Sequence, residues 1–392
     1  MTGPAVPGLT VAFVLGSASG GTVSHVIALA DGCRSAGAGV VVFGPADTLA
    51  LLPDNTDALA VPVGDRPRPM RDLRTHARLR AGLSERRPDV VHAHGFRAGA
   101  FAALAVGALA IGRVPGARPR RHPRAALVVT VHNAPPAGAV SRIVYGLLER
   151  ICARRADIVL CASADLLTRM RARGARAQQF DVPAPARSEP AAADVAAARS
   201  GIGAGARPVV LAVGRLAPQK GFDVLVDAAA RWRDRDPQPR TAIAGAGPLA
   251  AQLQARARRR DADVVLLGAR DDVPALLAAA DVVVVPSRWE ARALVVQEAM
   301  RSGRPVVATR VGGIPELTGA DGALLVPSED AAALADAVVA VLDDAPFAAR
   351  LGAAAKHRST TFPSEQHAVS SVLAIYARLA SREPVEQSGG TS

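Results

Sequence analysis

The stretch Val209–Gly221, with the sequence VVLAVGRLAPQKG, decides the fold class of this chain. It begins with five consecutive apolar residues, which is typical of a strand buried on both faces, as the strands of parallel sheets are. A glycine, the basic residues Arg215 and Lys220 and a second glycine follow, and they predict a turn that leads into a helix. The stretch therefore predicts a parallel α/β sheet with two cations at the carboxyl end of a strand, where such sheets bind ligands.

The same alternation of short apolar runs and helix-length segments continues in both directions along the chain. Apolar runs of strand length occur at 9–15, 40–43, 90–92, 127–131 and 158–162, and again at 241–244, 264–267, 282–285, 306–309 and 323–326. Between them, segments such as 23–36 and 142–155 have helical periodicity. A break rich in Ala, Gly and Pro at 183–208 separates the two sets. The sequence therefore predicts two doubly wound α/β domains in tandem.

Domain boundaries follow from this pattern. We predict a first domain over 1–186, a linker over 187–207 and a second domain over 208–362. Residues 363–381 are expected to form a helix that packs back on the first domain, and residues 382–392 a disordered tail.

Nearly all of the excess positive charge lies in the first half of the chain. The 392 residues include 47 basic and 35 acidic ones, for a net charge of +12. Up to residue 190 there are 24 basic and 13 acidic residues, whereas the remainder has 23 and 22. The arginines concentrate in Arg66–Arg87 and Arg113–Arg124. They form either a solvated face of an Arg-rich protein or a surface for anionic groups, such as the headgroups of a membrane.

Composition excludes several classes of protein. With 49% apolar and 21% charged residues, the chain is expected to be globular and not disordered. Nucleic acid is not expected as a partner, because only 2 Trp, 2 Tyr and 8 Phe are available for base stacking and no named nucleic-acid motif occurs. The longest apolar run, Gly99–Gly112, is shorter than the roughly 20 residues of a membrane-spanning helix and predicts a buried helix. No signal peptide is evident, and three widely spaced cysteines predict buried thiols in a reducing, cytoplasmic compartment.

A glycine-rich turn, Gly16–Gly21, directly follows the first predicted strand. Glycines there allow a ligand to approach the backbone at a helix N-terminus, although a tight turn between strand and helix explains them as well. The spacing is not G-x-G-x-x-G, and no acidic residue ends the second strand, so a nicotinamide dinucleotide site is not expected.

The second half contains the stronger constellation of polar residues. Arg215 and Lys220 suit a diphosphate whose negative charge increases as it leaves, although they are also compatible with a solvent-exposed turn. Glu290 and Glu298 are eight residues apart, with Glu290 just before a predicted helix and Glu298 on it. A carboxylate can accept hydrogen bonds from both hydroxyls of a ribose, which makes Glu298 a candidate ribose ligand.

The motifs of the second half occur in a characteristic order: Gly214-Arg215, Lys220-Gly221, Gly245-x-Gly247-Pro248, Leu267-Gly268, Asp272-Val273-Pro274, Ala280-Asp281-Val282, Pro286-Ser287, Glu290-x7-Glu298-Ala299-Met300, Gly303-x-Pro305-Val306-Val307-Ala308 and Gly312-Gly313-x-Pro315-Glu316. With this set, residues 205–340 resemble the retaining GT-B glycosyltransferases of family 4, which are similar to glycogen synthases in architecture. The first half resembles them more loosely, through Gly20-Gly21, His25, Asp89–Gly95 and Thr130–Asn133. The resemblance implies two Rossmann-like domains facing a central cleft, with the acceptor-side domain first and the nucleotide-sugar donor domain second.

The resemblance also implies an activity and assigns roles to single residues. It implies a hexosyltransferase-type enzyme that moves a sugar from a nucleotide diphosphate sugar to a lipid, glycan or small-molecule acceptor, with retention at the anomeric carbon. Arg215 and Lys220 would hold the diphosphate, Glu298 the ribose and Glu290 the hydroxyls of the sugar. His132 would sit beside the transferred sugar, although a histidine of the core would give the same pattern. The remaining implied donor-binding positions are Gly20, Gly21, Gly214, Gly247, Gly268, Arg270, Ala293, Leu294 and Val295.

Neither a metal nor another cofactor is implied. No Asp-x-Asp follows a strand, and His92 and His94 share one face of a strand without an evident third ligand. Fixed cations and helix N-termini can stabilise a leaving group in place of a metal ion.

Two departures from the family pattern leave other functions open. The family usually has glycines where this chain has Ala291 and Ala293, and the added methyl groups would strain the loop if either residue needed a positive φ. Arg292 between them would either add a cation at the diphosphate or point to solvent. The usual turn that ends the first domain is replaced by Phe180–Pro185. The alternatives are therefore a catalytically impaired nucleotide-sugar-binding protein and a nucleotide-sugar epimerase of the same fold.

Overall fold

A computed structural model describes residues 5–17, 20–64, 67–111, 124–132 and 139–381. The chain divides into two compact units: unit 1 comprises Met1–Pro183 and Pro363–Ser392, and unit 2 comprises Ala184–Phe362. Each unit is built around one parallel sheet with helices packed on it. This confirms the prediction of two Rossmann-like α/β domains.

Unit 1 contains a seven-stranded parallel sheet in the order β3-β2-β1-β4-β5-β6-β7. Its strands are β1 (Thr10–Leu15), β2 (Gly39–Gly44), β3 (Ala58–Ala60), β4 (Val90–His94), β5 (Ala126–Val131), β6 (Ile158–Cys161) and β7 (Ala177–Gln179). The connecting helices in the described residues are α1 (Gly21–Ser35), α2 (Ala46–Leu49), α3 (Pro69–Arg86), α4 (Phe96–Ile111), α5 (Ala139–Arg155) and α6 (Ala164–Ala172). The apolar runs of the sequence predicted β1, β2, β4, β5 and β6, whereas the edge strands β3 and β7 are three residues long and lack such a run.

Unit 2 contains a six-stranded parallel sheet in the order β10-β9-β8-β11-β12-β13. Its strands are β8 (Val209–Val213), β9 (Arg240–Ala244), β10 (Val264–Gly268), β11 (Val282–Val285), β12 (Val306–Thr309) and β13 (Leu324–Val326). Its helices are α7 (Ala192–Ile202), α8 (Phe222–Ala229), α9 (Ala250–Arg260), α10 (Val273–Ala279), α11 (Leu294–Arg301), α12 (Ile314–Thr318), α13 (Ala331–Asp343) and α14 (Ala345–Ser359).

Both faces of the sheet in unit 2 are covered by apolar side chains. Along β8, Val209 and Leu211 belong to one buried cluster, with residues of α7, α10 and α11. Val210 and Ala212 belong to a second cluster, with residues of α8 and α13. Because successive side chains of a strand point to opposite faces, the two clusters lie on opposite sides of the sheet. This burial explains why the strands have continuous apolar sequences.

The predicted linker is a structured part of unit 2. Within 187–207, the helix α7 packs against α10, and its residues Ala198 and Ile202 are buried. The prediction of a linker at 187–207 is therefore wrong, because a proline-rich start concealed a short helix with an apolar face. The division between the units lies at Pro183 and Ala184, three residues before the predicted end of the first domain.

The C-terminal helix belongs to unit 1. Helix α15 (Glu365–Ser381) packs on α1 and β4, with Val372, Leu373 and Tyr376 almost fully buried. The predicted tail at 382–392 lies outside the described residues, as does most of the arginine cluster Arg113–Arg124.

The apolar run at 99–112 forms most of α4, in which Ala102 and Ala105 are fully buried. In the part of the chain that the structure describes, no helix combines the length and the apolar character that crossing a membrane requires. The cysteines Cys33, Cys152 and Cys161 are buried and unbridged, and burial raises the pKa of each thiol to about 12.

Candidate active site

In each unit several of the predicted site residues follow the strands at which the strand order reverses: Gly20 and Gly21 in unit 1, and Gly214, Arg215, Lys220 and Glu290 in unit 2. The reversal lies between β1 and β4 in unit 1 and between β8 and β11 in unit 2. Connections leave in opposite directions from two such neighbouring strands, which opens a crevice at their carboxyl ends. In unit 2 the segment Gly214–Lys220 follows β8, and Pro286–Glu290 follows β11. The topology therefore brings together two motifs that are 70 residues apart in the sequence.

Lys220 and Glu290 form an ion pair at this point of unit 2. The Lys220 ammonium Nζ lies 2.6 Å from Glu290 Oε1, and the Ser287 hydroxyl donates to the same oxygen at 2.7 Å. Glu290 is only 6% exposed and Ser287 1%. The carboxylate is therefore held by a cation and a hydroxyl, as a buried charge requires. Ser287 was not among the predicted site residues, although it precedes Glu290 in the Pro-Ser motif.

Further contacts connect the two loops. The Gln219 side-chain amide donates to the Trp289 carbonyl at 2.8 Å, and the Arg288 backbone N–H donates to the Gln219 carbonyl at 2.8 Å. The Arg288 guanidinium binds both oxygens of Asp223, at the start of α8, at 3.0 and 2.9 Å. These contacts position Lys220 relative to Glu290 with little freedom, because bidentate pairs fix orientation as well as distance.

Two glycines allow the backbones to approach closely around this pair. Gly221 has φ +63°, and a Cβ atom there would lie 2.0 Å from the Pro286 carbonyl oxygen. Gly312 has φ +51°, and its Cβ atom would lie 1.9 Å from the Glu290 carbonyl oxygen, which accepts a hydrogen bond from the Gly313 N–H at 2.9 Å. Both positions therefore exclude every other residue type. Gly221 and Gly312 therefore allow the close backbone packing that holds Lys220 and Glu290 in place.

The loop that departs from the family pattern is unstrained. Ala293 has φ −70°, and Ala291 is not among the described residues with positive φ. Both methyl groups are buried, at 4% and 2% exposure for Ala291 and Ala293. The Arg292 side chain is 9% exposed and pairs with Glu316 at 3.4 Å, so it does not point to solvent.

Glu298 lies on α11, and among the described residues its side chain pairs with Arg187, whose Nε lies 3.4 Å from Glu298 Oε1, and not with the Lys220–Glu290 pair. Burial raises the pKa of Glu298, and the charge of Arg187 opposes this shift. Arg187 was not predicted as a site residue. It follows the proline-rich segment in which Ala184 is anchored to α11 by Gln297, at 3.0 Å, and by Arg301, at 2.7 Å.

The remaining predicted residues of unit 2 lie at the ends of β8, β9 and β10 and at the start of α11. The Arg215 side chain is exposed and forms no ion pair with the described residues. Arg270 binds both oxygens of Asp272, at 2.7 and 2.5 Å, so its guanidinium is occupied within its own loop. Gly214, Gly247 and Gly268 lie directly at or after strand ends, and Ala293, Leu294 and Val295 form the N-terminal end of α11.

In unit 1, Gly20 and Gly21 lie at the start of α1, after β1. Gly20 has φ +56° and ψ −129° and is the residue before the helix, whose first residue is Gly21. Apart from Gly20 and its neighbours in the chain, no described atom lies within 4 Å of a Cβ atom built at Gly20. As far as the described residues extend, this point of the helix N-terminus has room for an anion or a polar hydroxyl.

Four histidines gather at the carboxyl end of the sheet in unit 1. His92 and His94 come from β4, His132 follows β5, and His25 lies on α1. His94 Nδ1 is 3.1 Å from His132 Nε2, and their rings are nearly parallel, with centroids 5.4 Å apart and an interplanar angle of 8°. The His25 ring meets those of His94 and His132 edge-on, with centroids 5.9 and 6.0 Å away. His132 thus belongs to a histidine cluster and is not a lone core residue.

His92 connects this cluster to the C-terminal helix. Its Nδ1 is 2.6 Å from the Tyr376 hydroxyl on α15, and its Nε2 is 2.6 Å from the Thr130 hydroxyl on β5. All three residues are fully buried. No periodicity in the sequence indicated this contact, because Tyr376 is 284 residues from His92.

The cluster is neutral at physiological pH. Burial, together with the imidazole of His132, lowers the pKa of His25 to about 3, and burial lowers that of His132 to about 4. The pKa values of His92 and His94 are also well below 6.5, first because of burial and then because of the other histidines. Among the residues that the structure describes, no three His, Cys, Asp or Glu side chains are arranged to hold a metal ion.

The sequence matches two models of protein families, one for each unit. Residues 207–344 match the family described as glycosyl transferases group 1, and residues 20–185 match the glycosyl transferase 4-like domain.

Curated relatives align with part of the chain. The MMP alpha-(1->4)-mannosyltransferase of Mycolicibacterium hassiacum is 36% identical over 114 residues, which are 29% of this chain and 28% of that protein. The D-inositol 3-phosphate glycosyltransferase of Corynebacterium efficiens is 35% identical over 165 residues, 39% of each chain. The chain therefore covers only 28% and 39% of the lengths of these two relatives.

Solved structures with the same fold cover nearly the whole chain. The Anabaena protein Alr3699/HepE, solved with UDP and glucose, has a TM-score of 0.77 and 21% identity, over 94% of this chain and 99% of that one. Sucrose-phosphate synthase from Thermosynechococcus elongatus has a TM-score of 0.76 and 21% identity, over 96% and 100%. At this identity the similarity concerns the fold, and it confirms two Rossmann-like domains of the GT-B type.

Proposed function

Since the chain joins a glycosyl transferase 4-like domain to a glycosyl transferases group 1 domain, we propose that it is a glycosyltransferase. In this proposal it moves a sugar from a nucleotide diphosphate sugar to an acceptor, with retention at the anomeric carbon. The observation that carries the proposal is the Lys220–Glu290 pair at the strand-order reversal of unit 2, with its 2.6 Å contact. A cation for the diphosphate and a carboxylate for sugar hydroxyls are the two groups that a nucleotide sugar requires there.

The cations act on the leaving group. When the bond between the anomeric carbon and the diphosphate breaks, negative charge builds up on the departing oxygen. Lys220 is fixed beside Glu290, and Arg215 is exposed at the same strand end without a competing carboxylate among the described residues. Preorganised positive charge at the developing anion lowers the barrier, which is why the proposal includes no metal. Activity is accordingly expected to persist in a chelator.

The other roles are assigned from the polar groups of the nucleotide sugar: its ribose, its sugar hydroxyls and its phosphates. Glu298 is assigned to the ribose, because its partly buried carboxylate can accept hydrogen bonds from both hydroxyls. Glu290 is assigned to the hydroxyls of the sugar, and His132 to the transferred sugar itself. Gly20 and Gly21 are assigned to the phosphate side, since they begin α1 and no side chain of the described residues caps the N–H groups of its first turn.

A thermal-shift screen tests donor binding. We expect one of the uridine, guanosine and adenosine diphosphate sugars to raise the melting temperature of unit 2. At a ligand concentration of 100 Kd, the stabilisation is about 2.7 kcal/mol. Glu298→Ala should abolish the shift, because a ribose hydroxyl then has no acceptor, whereas Glu189→Ala, at an exposed acid of the same unit, should leave it unchanged. If no nucleotide shifts the wild-type melting temperature, the proposal is wrong.

Product analysis separates the proposal from its alternatives. Transfer to an acceptor, or hydrolysis of the donor above background, would exclude a catalytically impaired binding protein. A second sugar isomer formed without an acceptor would identify an epimerase. The alanines at 291 and 293 provide no support for impaired catalysis through backbone strain, because neither has a positive φ.

We further propose that unit 1 docks on an anionic membrane surface through the layer formed by α3, α4 and α5. These helices pack side by side. Five of the six exposed large apolar residues in the described part of the chain lie on them: Met70, Leu73, Leu104, Ile143 and Leu147. Exposed arginines flank these side chains: Arg71, Arg74, Arg78 and Arg80 on α3, and Arg142, Arg150 and Arg154 on α5. Apolar side chains bordered by arginines fit the interface of an anionic bilayer.

Few acidic groups oppose this charge. Of the acids on the three helices, Asp72 pairs with Arg97 and Glu149 is fully buried against Arg169 and Arg173, which leaves Glu85 exposed. A cavity of about 710 Å³ beside α3 is lined by Arg68, Arg71, Arg74 and Arg78 together with prolines and Met70. This cavity provides room for an anionic headgroup next to the exposed apolar residues of α3, Met70 and Leu73.

Cosedimentation with vesicles tests the docking surface. The protein should bind vesicles that contain phosphatidylglycerol and not vesicles of phosphatidylcholine, and binding should fall with salt because each arginine near the surface contributes about 1 kcal/mol. Replacing both Met70 and Leu73 with Asp should abolish binding. Leu51→Asp is the matched control, since Leu51 is 53% exposed but lies outside the layer. Binding that does not depend on anionic lipid would refute a membrane role for this face.

A further inference from the structure

The contact between His94 and His132 defines the state of the His132 ring. His94 Nδ1 and His132 Nε2 are 3.1 Å apart, and the two rings are nearly parallel, with an interplanar angle of 8°. At this distance one nitrogen donates and the other accepts. Because each neutral imidazole carries one proton, the direction of this hydrogen bond decides which nitrogen of His132 is protonated.

The burial of His94 Nε2 determines which of the two histidines donates this hydrogen bond. His94 Nε2 is buried and has no hydrogen-bond partner in the described residues. If the proton of His94 were on Nε2, a buried N–H would lack an acceptor, and such orphaned donors are rarer in proteins than unpaired acceptors. The proton is therefore favoured on Nδ1, where it has an acceptor in His132 Nε2. The single proton of His132 then lies on its own Nδ1.

We infer that His94 is a positioning residue, which donates from Nδ1 to His132 Nε2 and thereby makes His132 Nδ1–H a neutral hydrogen-bond donor. This inference rests on the proposed function, in which His132 contacts the transferred sugar. A neutral donor can hold a sugar hydroxyl without placing a positive charge beside an anomeric carbon that becomes electron-poor as the leaving group departs. An imidazolium at the same place would oppose that charge.

The surroundings of the pair keep it in this state. The His25 ring meets the rings of His94 and His132 edge-on. The Phe180 ring packs against His25, with ring centroids 5.7 Å apart. Phe13 lies 6.1 Å from His94. Aromatic rings on these sides fix the ring planes and exclude the water that would otherwise compete for the two nitrogens.

Nitrogen-15 spectra of the histidine side chains test the inference without any need for activity. Protonated and unprotonated ring nitrogens differ in chemical shift, so the wild-type spectrum identifies the tautomer, and His132→Gln assigns the signal by its loss. We expect the His132 proton on Nδ1. His94→Leu, which keeps apolar volume without a donor, should alter the His132 signals, whereas His94→Asn should preserve them, because its amide can donate from nearly the position of Nδ1. His367→Gln, at an exposed position on α15, is the control.

Kinetics then connect the tautomer to turnover. His94→Leu should lower kcat by about tenfold with little change in the KM of the donor, and His94→Asn should restore most of the loss. A wild-type His132 proton on Nε2, or an unchanged spectrum in His94→Leu, would overturn the inference. If the tautomer is as expected but no nucleotide sugar is turned over by the wild type, the proposed function fails and the role of His94 as a donor to His132 stands.

Discussion

Replacing Lys220 with Met is expected to lower the turnover of the nucleotide sugar by about 10²- to 10³-fold, the usual effect of removing one group that stabilises a developing anion. The ammonium is held 2.6 Å from Glu290 by a loop that Gly221 allows to pack on Pro286. Arg215 cannot take over its role fully, because it is exposed and no described residue fixes its guanidinium. The measurement is kcat with a saturating donor.

The chain offers a matched control for this substitution. Its two lysines are Lys220 and Lys356, and Lys356 is exposed on α14. Lys356→Met removes the same group from the same unit and should leave kcat unchanged. Equal losses in the two variants would contradict the assignment of Lys220 to the diphosphate.

A double-mutant cycle separates two roles of Lys220. Removing the ammonium also leaves the Glu290 carboxylate, which is 6% exposed, without its cation. If Lys220 served only to hold Glu290, adding Lys220→Met to Glu290→Gln would not lower kcat any further. We expect a further loss of at least tenfold, because the diphosphate loses its charge partner in either background.

Acidification is expected to unfold unit 1 before unit 2. The pKa of His25 is lowered from 6.5 to about 3 and that of His132 to about 4, and those of His92 and His94 are also well below 6.5. The unfolded chain therefore binds protons near pH 6.5 that the folded chain does not bind. The free energy of unfolding falls as the pH drops from about 6.5 towards 4.

The expected size of this loss is large. A histidine that stays neutral in the folded protein contributes about 2 kcal/mol less stability at pH 5 than at pH 7.5. His25 and His132, with pKa values of about 3 and 4, together lower the free energy of unfolding by about 4 kcal/mol, a large part of the total stability of an ordinary domain, and His92 and His94 act in the same direction. His25→Phe, which removes one of them and retains an aromatic ring against Phe180, should reduce the loss by about 2 kcal/mol.

The distribution of reporter residues allows each unit to be followed separately. The three cysteines, Cys33, Cys152 and Cys161, are buried in unit 1, so pulse alkylation at one fixed pH after urea unfolding reports that unit. Trp232 and Trp289 lie in unit 2, and their fluorescence reports the other. His367→Gln should leave the pH dependence unchanged. Each probe gives a urea midpoint of unfolding. If the midpoints from thiol labelling and from fluorescence shift equally between pH 7.5 and 5, the histidine cluster is not the cause of the loss of stability.

The sequence predicted most of the sheets and included Lys220 and Glu290 among the candidate site residues, without predicting their contact. Continuous apolar runs identified the inner strands, because a strand covered on both faces has no polar side to display. The edge strands β3 and β7 were missed, since three residues with exposed neighbours carry no such pattern. Helix α7 was missed because Pro and Ala dominate the segment before it. The contact between Lys220 and Glu290 was not predicted, because the two residues lie 70 residues apart and only the order of the motifs connected them.

By itself the sequence determined that the chain forms two parallel α/β units, where the basic residues lie and which motifs follow which strands. Each of these is a local property of side-chain chemistry and spacing along the chain. Only the tertiary structure decided that Ser287 shares Glu290 with Lys220, that Arg187 pairs with Glu298, and that Tyr376 reaches His92. It also decided that His94 contacts His132. Such contacts depend on strand order and on helix packing, which bring together residues whose separation along the chain leaves no periodic signal.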